Sequence, residues 1–242
     1  MTPHQFREVL DSPHNKNLSP VQRIDMNLQD LLTPVLHSGK VRMGTPDRDG
    51  GYIVDPSLFT DRLVSVGCKN ETEFEEAYLK VRPNAQIDIY DGGGRCDLAE
   101  NNDNVQFIKR FIKSMDDIKL YDDCVVQMDI EGHELGVLYN RPDLSPISQF
   151  ILEIHINYTG NYEAWRVALG HLNEQHSLIH LHLNNWVKTS RFGVPDVLEL
   201  TYVRNDLLED RVVIDNRPYP LDIDTRNCKH DDYDPVLDWW IK

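Results

Sequence analysis

The sequence predicts an α/β protein with a Rossmann-like, largely parallel sheet and helices on both faces. Short apolar runs recur along the chain, and most are separated by enough polar or helical sequence for a crossover helix. Several runs end at an acidic residue, at the edge of such a sheet where ligands bind. The predicted strands are residues 63–66, 86–90, 105–108, 124–128, 150–154, 178–183 and 197–203.

The chain before the sheet predicts a helical extension. Ser19 and Pro20 form a helix-start signal, and Pro34 ends or kinks the run that follows. The apolar residues between them recur at helical spacing and are Val21, Ile24, Leu28, Leu31 and Leu32. We expect this helix to cover one side of the core.

These patterns divide the chain into three parts. Residues 1–40 are the helical extension, residues 41–205 the core and residues 206–242 a tail. The tail is rich in Pro, Asp and Asn and ends in Trp239 and Trp240. We therefore expect it to be irregular and to pack on the core through its aromatic side chains.

Composition narrows the class of function. The chain has 242 residues, with 40 acidic against 25 Lys and Arg residues and a formal net charge of −15. Such a surface repels phosphate backbones and anionic lipids, so no nucleic acid or membrane partner is expected, and the oligomeric state stays open. Without a long apolar run or an export signal, a cytoplasmic location is expected, with the four cysteines reduced.

The loops after the first two strands offer polar groups for a ligand. Gly67 follows the first strand, and a lone glycine at a strand-to-helix turn lets a ligand approach the backbone. Glu71 and Glu75 lie where the next helix is predicted to open. Asp91 follows the second strand, where it either accepts from ribose hydroxyls or begins the glycine turn 92–94.

Carboxylates and an imidazole follow or interrupt two central strands. Asp129, Glu131 and Glu134 fall within six residues at the end of one strand. Glu153 and His155 share one face of the next strand, because strand side chains alternate. A buried carboxylate is costly unless it is paired, hydrogen-bonded or bound to a metal. These groups are either functional, or an arginine pairs with Glu153 and the core satisfies His155.

A third polar-ended strand carries His180 and His182 on one face and leaves the sheet at Asn184 and Asn185. Carboxamides can hold hydroxyl groups, which is typical of a site for a sugar or another polar molecule. Two histidines at this spacing alone are weak support for a metal site.

Taken together, these segments resemble the FkbM-like group of S-adenosylmethionine-dependent methyltransferases. The resemblance spans about residues 40–205, and its Asp-x-Glu-Gly-x-Glu element at 129–134 is the most specific part. Gln127, His133 and the single glycine of the first loop depart from the family's usual pattern. The matching segments are 41–44, the Asp-Gly-Gly-Tyr element within 49–54, 65–67, 74–75, 115–118, 125–134 and 150–155.

The resemblance implies a class I methyltransferase sheet of seven strands with the last one antiparallel. It also implies S-adenosylmethionine as cofactor and methylation of a hydroxyl, most often on a sugar or glycan. By position, Gly67 would approach the cofactor, and Glu71 or Glu75 would support the loop or the ammonium group. Asp91 would hold the ribose hydroxyls, and Ile108 and Asp116 would lie near the adenine.

A sugar hydroxyl is a weak acid at pH 7, so a general base or a divalent cation must help it to lose its proton. Asp129, His155 and His182 are the candidate catalytic groups. Asp129, Glu153 and His182 are a candidate ligand set for Mg²⁺ or Mn²⁺, although His182 would have to reach across the antiparallel strand.

Other functions remain open from the sequence. The acceptor is either a sugar or a non-sugar small molecule, and the chain is either an enzyme or an inactive cofactor-binding scaffold. A nicotinamide-dependent oxidoreductase is disfavoured because the chain has no GxGxxG motif.

Overall fold

The computed structural model describes residues 28–156, 161–186, 196–208 and 212–229. The helix start predicted at Ser19 and the tryptophans at 239 and 240 lie outside these residues. The described part of the extension begins with helix α1 (Leu28–Leu31). Leu31 and Leu32 are buried, and Val35 forms a β-bridge with Ile214, so this segment lies against the body of the protein.

The described residues contain nine strands in two sheets. They are β1 (Val41–Met43), β2 (Tyr52–Val54), β3 (Arg62–Val66), β4 (Gln86–Asp91), β5 (Val105–Lys109), β6 (Cys124–Met128), β7 (Ile147–His155), β8 (His176–Leu183) and β9 (Val197–Arg204). Strands β1 and β2 pair as an antiparallel hairpin, and the other seven form the central sheet.

The central sheet has the strand order β5-β4-β3-β6-β7-β9-β8. Neighbouring strands from β5 to β7 are parallel, whereas β9 runs antiparallel to both β7 and β8. The sheet has seven strands with the last one inserted antiparallel, which is the arrangement that the resemblance implied. The fold class predicted from the sequence is confirmed.

Helices cover both faces of the sheet. They are α2 (Glu73–Val81), α3 (Asp97–Asn101), α4 (Glu134–Tyr139) and α5 (Tyr162–Gln175). Side-chain alternation along each strand separates two apolar layers. Val64 and Leu152 pack in the layer with α1, α4 and α5, whereas Leu63 and Ile151 pack in the layer with the β1–β2 hairpin, α2 and α3. No described helix has the length and apolarity to cross a bilayer.

The hairpin lies over a polar part of the sheet. The carboxamide of Gln149 accepts from the backbone N–H of Asp55 at 2.9 Å and donates to its carbonyl at 3.1 Å. The Thr201 hydroxyl donates to the carbonyl of Ile53 at 2.5 Å, and Gln127 Nε2 donates to the Tyr52 hydroxyl at 3.0 Å. Polar groups buried on this face of the sheet are thus hydrogen-bonded to the hairpin. These bonds hold the loop between β1 and β2 over the ends of β7 and β9.

The strand order reverses between β3 and β6, because the chain runs outward from β3 to β5 and then returns beside β3. In open α/β sheets, ligands bind in the crevice outside the carboxyl ends of the strands at such a point. A ligand site is therefore expected among the residues that follow β3, β4, β6 and β7.

Candidate functional site

Backbone contacts bring the loops after β3, β4 and β6 together. The N–H of Gly67 donates to the carbonyl of Tyr90 at 2.8 Å, and the N–H of Asp129 donates to that of Val66 at 2.9 Å. Gly67 has a φ of +87°, and a β-carbon built on it would overlap the carbonyl oxygen of Asp129. A side chain at position 67 would thus push apart the two strands at the switch point.

Asp91 and Asp129 flank the same loop. Asp91 Oδ2 accepts from the backbone N–H of Lys69 at 2.9 Å, and Asp91 Oδ1 accepts from that of Gly93. The Lys69 ammonium pairs with Glu131 in the loop after β6. The segment that follows Gly67 thus contacts Asp91 and, through Glu131, the loop that carries Asp129.

Glu75 lies beneath this loop. Its side chain is 2% exposed and accepts a hydrogen bond from the Ser65 hydroxyl on β3. Burial raises the pKa of Glu75 to about 7, although the bond from Ser65 opposes the shift. Of the two roles that the sequence left open for Glu75, its burial favours support of the loop over contact with a ligand. Glu71, by contrast, is exposed.

Replacing Glu75 by glutamine is expected to stabilise the protein at pH 8. The pKa of Glu75 is higher in the folded chain, about 7, than its ordinary value of 4.5, so wild-type stability falls as pH rises between these values. Glutamine still accepts from Ser65 and removes this loss, with an upper limit of about 3 kcal/mol. Thermal melts at pH 8 and pH 4.5 test this, and the gain should disappear at pH 4.5. Glu76→Gln, an exposed neighbour on α2, is the matched control; an equal gain there would contradict the account.

The adenine-side residues follow β4 and β5. Ile108 is partly buried and packs on the apolar layer, and Asp116 is exposed in a short 3₁₀ turn. Phe111, which the sequence did not single out, is 77% exposed, and its ring lies directly against Gly92. The signal for Phe111 in the sequence was an aromatic residue just past a predicted strand.

Glu134 and His155 form a buried pair beside Asp129. Glu134 is fully buried, and its Oε1 accepts from the N–H groups of Ile130 and Gly132, each at 3.0 Å. The same oxygen lies 3.1 Å from His155 Nδ1. The other ring nitrogen, Nε2, lies 3.5 Å from Glu131 and 3.6 Å from Glu153. Glu134 therefore orients His155, a role for which the sequence offered only the Asp-x-Glu-Gly-x-Glu spacing.

The charges in this cluster shift one another's pKa values. Burial lowers the pKa of His155, but the hydrogen bond to Glu134 and the charges of Glu134 and Asp129 outweigh it, and the net shift is upward. Burial raises the pKa of Asp129 to about 7, with His155 opposing and the neighbouring glutamates adding to the rise. Asp129 Oδ1 is buried and has no hydrogen-bond partner among the described residues. An unpaired carboxylate oxygen at a switch-point crevice is suited to receive a ligand's donor.

A row of ionisable side chains crosses the sheet next to this cluster. Glu153 on β7 lies directly opposite Glu199 on β9, and Glu199 lies opposite His182 on β8. Burial raises the pKa of Glu153 well above its ordinary value, and the charges of Asp129 and Glu199 raise it further. Glu153 does not pair with Arg141 or Arg166, which bind Glu174 and Glu163.

The three residues predicted as metal ligands fall into three separate groups. Among the described residues, Asp129 groups with Glu134 and His155, and Glu153 groups with Asp49 and Glu199. His182 groups with His180 and Asp224. The structure therefore does not bring Asp129, Glu153 and His182 together as one ligand set, because β9 separates β7 from β8.

His182 is held on the far side of β9 by the tail. His182 Nδ1 and His180 Nε2 lie 2.7 and 2.9 Å from Asp224 Oδ1, and His182 Nε2 lies 2.9 Å from Asn227 Oδ1. Asn227 Nδ2 in turn donates to Glu199. Asp224 has a lowered pKa, because its bonds to both histidines outweigh its burial. This arrangement anchors the tail to β8 and uses both ring nitrogens of His182.

A pocket of about 510 Å³ opens next to this row. It lies between the β1–β2 loop, the start of α2, the exit of β8 and the tail, and Trp186 at its edge is 54% exposed. Its lining carries more acidic than basic side chains and consists of Asp47, Arg48, Asp49, Glu71, Glu73, Trp186, Asn227, Cys228 and Lys229. Glu71 therefore contributes to this pocket.

No protein-family model and no curated protein matches the chain. Among solved structures, it is similar to a fibrillarin/Nop5p complex, with 9% identity and a TM-score of 0.42 over 59% of this chain and 72% of that chain. A precorrin-6y C5,15-methyltransferase from Geobacter metallireducens GS-15 matches with 13% identity and a TM-score of 0.37, over 58% of this chain and 77% of that one. The plantazolicin methyltransferase BpumL, in complex with SAH, matches with 14% identity and a TM-score of 0.34, over 60% and 76%. TM-scores this low carry no information about the function of the chain.

Proposed function

We propose that the protein is an S-adenosylmethionine-dependent O-methyltransferase of the FkbM-like group that acts on a hydroxyl of a sugar or glycan. The observation that carries the proposal is the placement of Asp91 and Asp129 on either side of the Gly67 loop, at the switch point of a class I methyltransferase sheet. A carboxylate at each of these strand ends suits a molecule with ribose hydroxyls at one end and an ammonium group at the other.

The residues present fit this cofactor. Asp91 would accept from the ribose hydroxyls, as an acidic residue after the second strand does in dinucleotide-binding sheets. The unpartnered Oδ1 of Asp129 offers an acceptor for the ammonium group. Ile108 and the exposed ring of Phe111 provide apolar surface for the adenine, and Asp116 offers an acceptor for its amine. When bound, S-adenosylmethionine supplies a methyl carbon whose bond to sulfur breaks with both electrons left on sulfur.

His155 is the proposed general base. Its Nδ1 is occupied by Glu134, so the imidazole is held in one orientation with Nε2 toward the acidic cluster. A histidine base that is oriented by a hydrogen-bonded carboxylate is also found in catalytic triads. Nε2 would take the proton of the acceptor hydroxyl, and the oxygen would keep the electron pair for the new bond to carbon. Because both nitrogens of His182 are used to hold the tail, His155 is the better placed of the two histidines.

The pocket beside Trp186 suits a sugar. Carboxylates and carboxamides hold hydroxyl groups by hydrogen bonds, and an exposed indole offers a flat apolar face to a ring. Asp49 and Glu71 supply carboxylates around Trp186. An acidic pocket repels anionic acceptors, so a neutral glycan is favoured over a phosphorylated one.

Replacement of His155 by glutamine tests the proposed base. We expect methyl transfer to fall by about 10² to 10⁴-fold, the contribution typical of a general base, while cofactor affinity stays near the wild-type value. Transfer of isotopically labelled methyl to a glycan pool, read by mass spectrometry, measures the rate. His133→Gln, an exposed histidine in the neighbouring loop, is the control. Equal rates for His155→Gln and wild type would remove His155 from the mechanism, and no labelled product from wild type would overturn the proposed function.

A further inference from the structure

The β1–β2 loop places a third carboxylate next to the Glu153–Glu199 pair. Asp49 belongs to the Asp-Gly-Gly-Tyr element, which closes the hairpin over the sheet. One carboxylate oxygen from each of Asp49, Glu153 and Glu199 lies within 4.8 Å of the other two. The three come from two neighbouring strands and one covering loop, so the fold itself fixes their approach.

Two of these carboxylates are buried with unused oxygens. Glu153 and Glu199 are 5% and 4% exposed, and Oε2 of each has no hydrogen-bond partner among the described residues. Like charges directly opposite each other on neighbouring strands are destabilising, and a buried oxygen without a donor adds a further cost. Such a pair persists in a folded protein when a cation or a proton offsets its charge.

Two positive groups, His182 and Arg42, act on Glu199. Arg42 lies near enough to lower the pKa of Glu199, but it forms no ion pair within 4.0 Å among the described residues, and its Nη2 donates to the carbonyl of Arg48. The charge of His182 also lowers the pKa of Glu199, and Asn227, which contacts His182, donates to Glu199. Among the described residues, the one ion-pair contact of Glu153 is with His155 Nε2, at 3.6 Å, on a ring already held by Glu134.

We infer that Asp49, Glu153 and Glu199 bind a divalent cation, Mg²⁺ or Mn²⁺, between the hairpin loop and the ends of β7 and β9. Three carboxylates form a hard oxygen ligand set that these ions prefer, and they leave octahedral positions open. This set differs from the one expected from the sequence, since it takes Asp49 and Glu199 in place of Asp129 and His182.

The cation site opens toward the acceptor pocket, because Asp49 also lines that pocket. If the proposed function holds, a hydroxyl that fills an open position on the cation becomes more acidic and is presented to His155. The inference on catalysis rests on the proposed function, whereas the inference on binding does not. The Asp-Gly-Gly-Tyr element then has a chemical role, which is to bring a carboxylate over the sheet.

Titration of the full-length chain with Mn²⁺, with the free ion followed by electron paramagnetic resonance, tests the site without cofactor or acceptor. We expect one Mn²⁺ to bind per chain and Mg²⁺ to displace it. Asp49→Asn and Glu199→Gln should each weaken Mn²⁺ binding by at least about tenfold, because each removes one ligand charge. Glu100→Gln, an exposed carboxylate on α3, should bind as wild type does.

Asp49→Asn is the decisive variant, because Asp49 lies in a half-buried loop whose replacement leaves the sheet intact; a thermal melt verifies its fold. Failure of the wild type to bind Mn²⁺, or equal affinity in Asp49→Asn, would overturn the site. Loss of binding in Asp129→Asn but not in Asp49→Asn would also overturn it, since the ion would then lie in the Asp129 group. Mn²⁺ binding without methyl transfer to any glycan would leave the site standing and count against the proposed function alone.

Discussion

Replacing Gly67 by alanine is expected to destabilise the protein by about 3 kcal/mol or more and to abolish cofactor binding. Its φ of +87° is unfavourable for an alanine, and the added β-carbon would overlap the Asp129 carbonyl. The strain can be relieved only if the loop after β3 moves away from β6, which would also move Asp129 and the Lys69 amide that holds Asp91. Urea unfolding and calorimetric titration with S-adenosylmethionine measure the two effects.

Gly136→Ala is the matched control for this prediction. A β-carbon at position 136 meets no other atom within 4 Å, and the residue lies in helix α4, where alanine is favoured over glycine by about 1 kcal/mol. We therefore expect Gly136→Ala to be as stable as wild type or more so. If Gly67→Ala kept wild-type stability and affinity, the close packing of the two loops would not be required for the site.

Replacing Asp129 by asparagine is expected to lower methyl transfer by about 10³-fold with little loss of stability. Asparagine has nearly the same shape, so the backbone contacts of the switch point are kept, but the negative charge at the unpartnered Oδ1 is lost. Cofactor affinity should fall as well, because the proposed ammonium partner becomes neutral. Single-turnover transfer and calorimetric titration separate the loss of rate from the loss of affinity.

The matched control is Asp122→Asn, which removes an exposed charge just before β6. It should retain wild-type transfer, and this comparison shows that overall charge is not responsible for the effect. Wild-type rates in Asp129→Asn would exclude Asp129 from both binding and catalysis.

The strands of the central sheet could be predicted from the sequence because each is a nearly continuous apolar run. Strand β6 was expected at 124–128 and is observed as Cys124–Met128. The pairing of β1 with β2 was not predicted, because strands of three residues have no readable period. The position of the hairpin on the sheet was not predicted either, because it is fixed by polar contacts with Gln127, Gln149 and Thr201. Such contacts depend on which face each side chain takes in the folded sheet.

The candidate site could be predicted only where function follows from position along a strand. Asp91 and Asp129 each end a strand of the parallel sheet, so their meeting at one loop was foreseeable. Glu199 was not singled out, because its importance comes from lying opposite Glu153, which depends on the antiparallel register of β9. The contact of His182 with Asp224 could not be predicted from the sequence either, since Asp224 is 42 residues away in an irregular segment.

Calorimetric titration of the wild-type chain with S-adenosylmethionine tests the central claim most directly, which is that the crevice at the switch point binds this cofactor. We predict one site with micromolar affinity, no binding of NAD, and affinity weaker by at least about tenfold in Asp91→Asn, which loses the carboxylate that receives the ribose hydroxyls. Absence of S-adenosylmethionine binding, or binding of NAD in its place, would contradict the account.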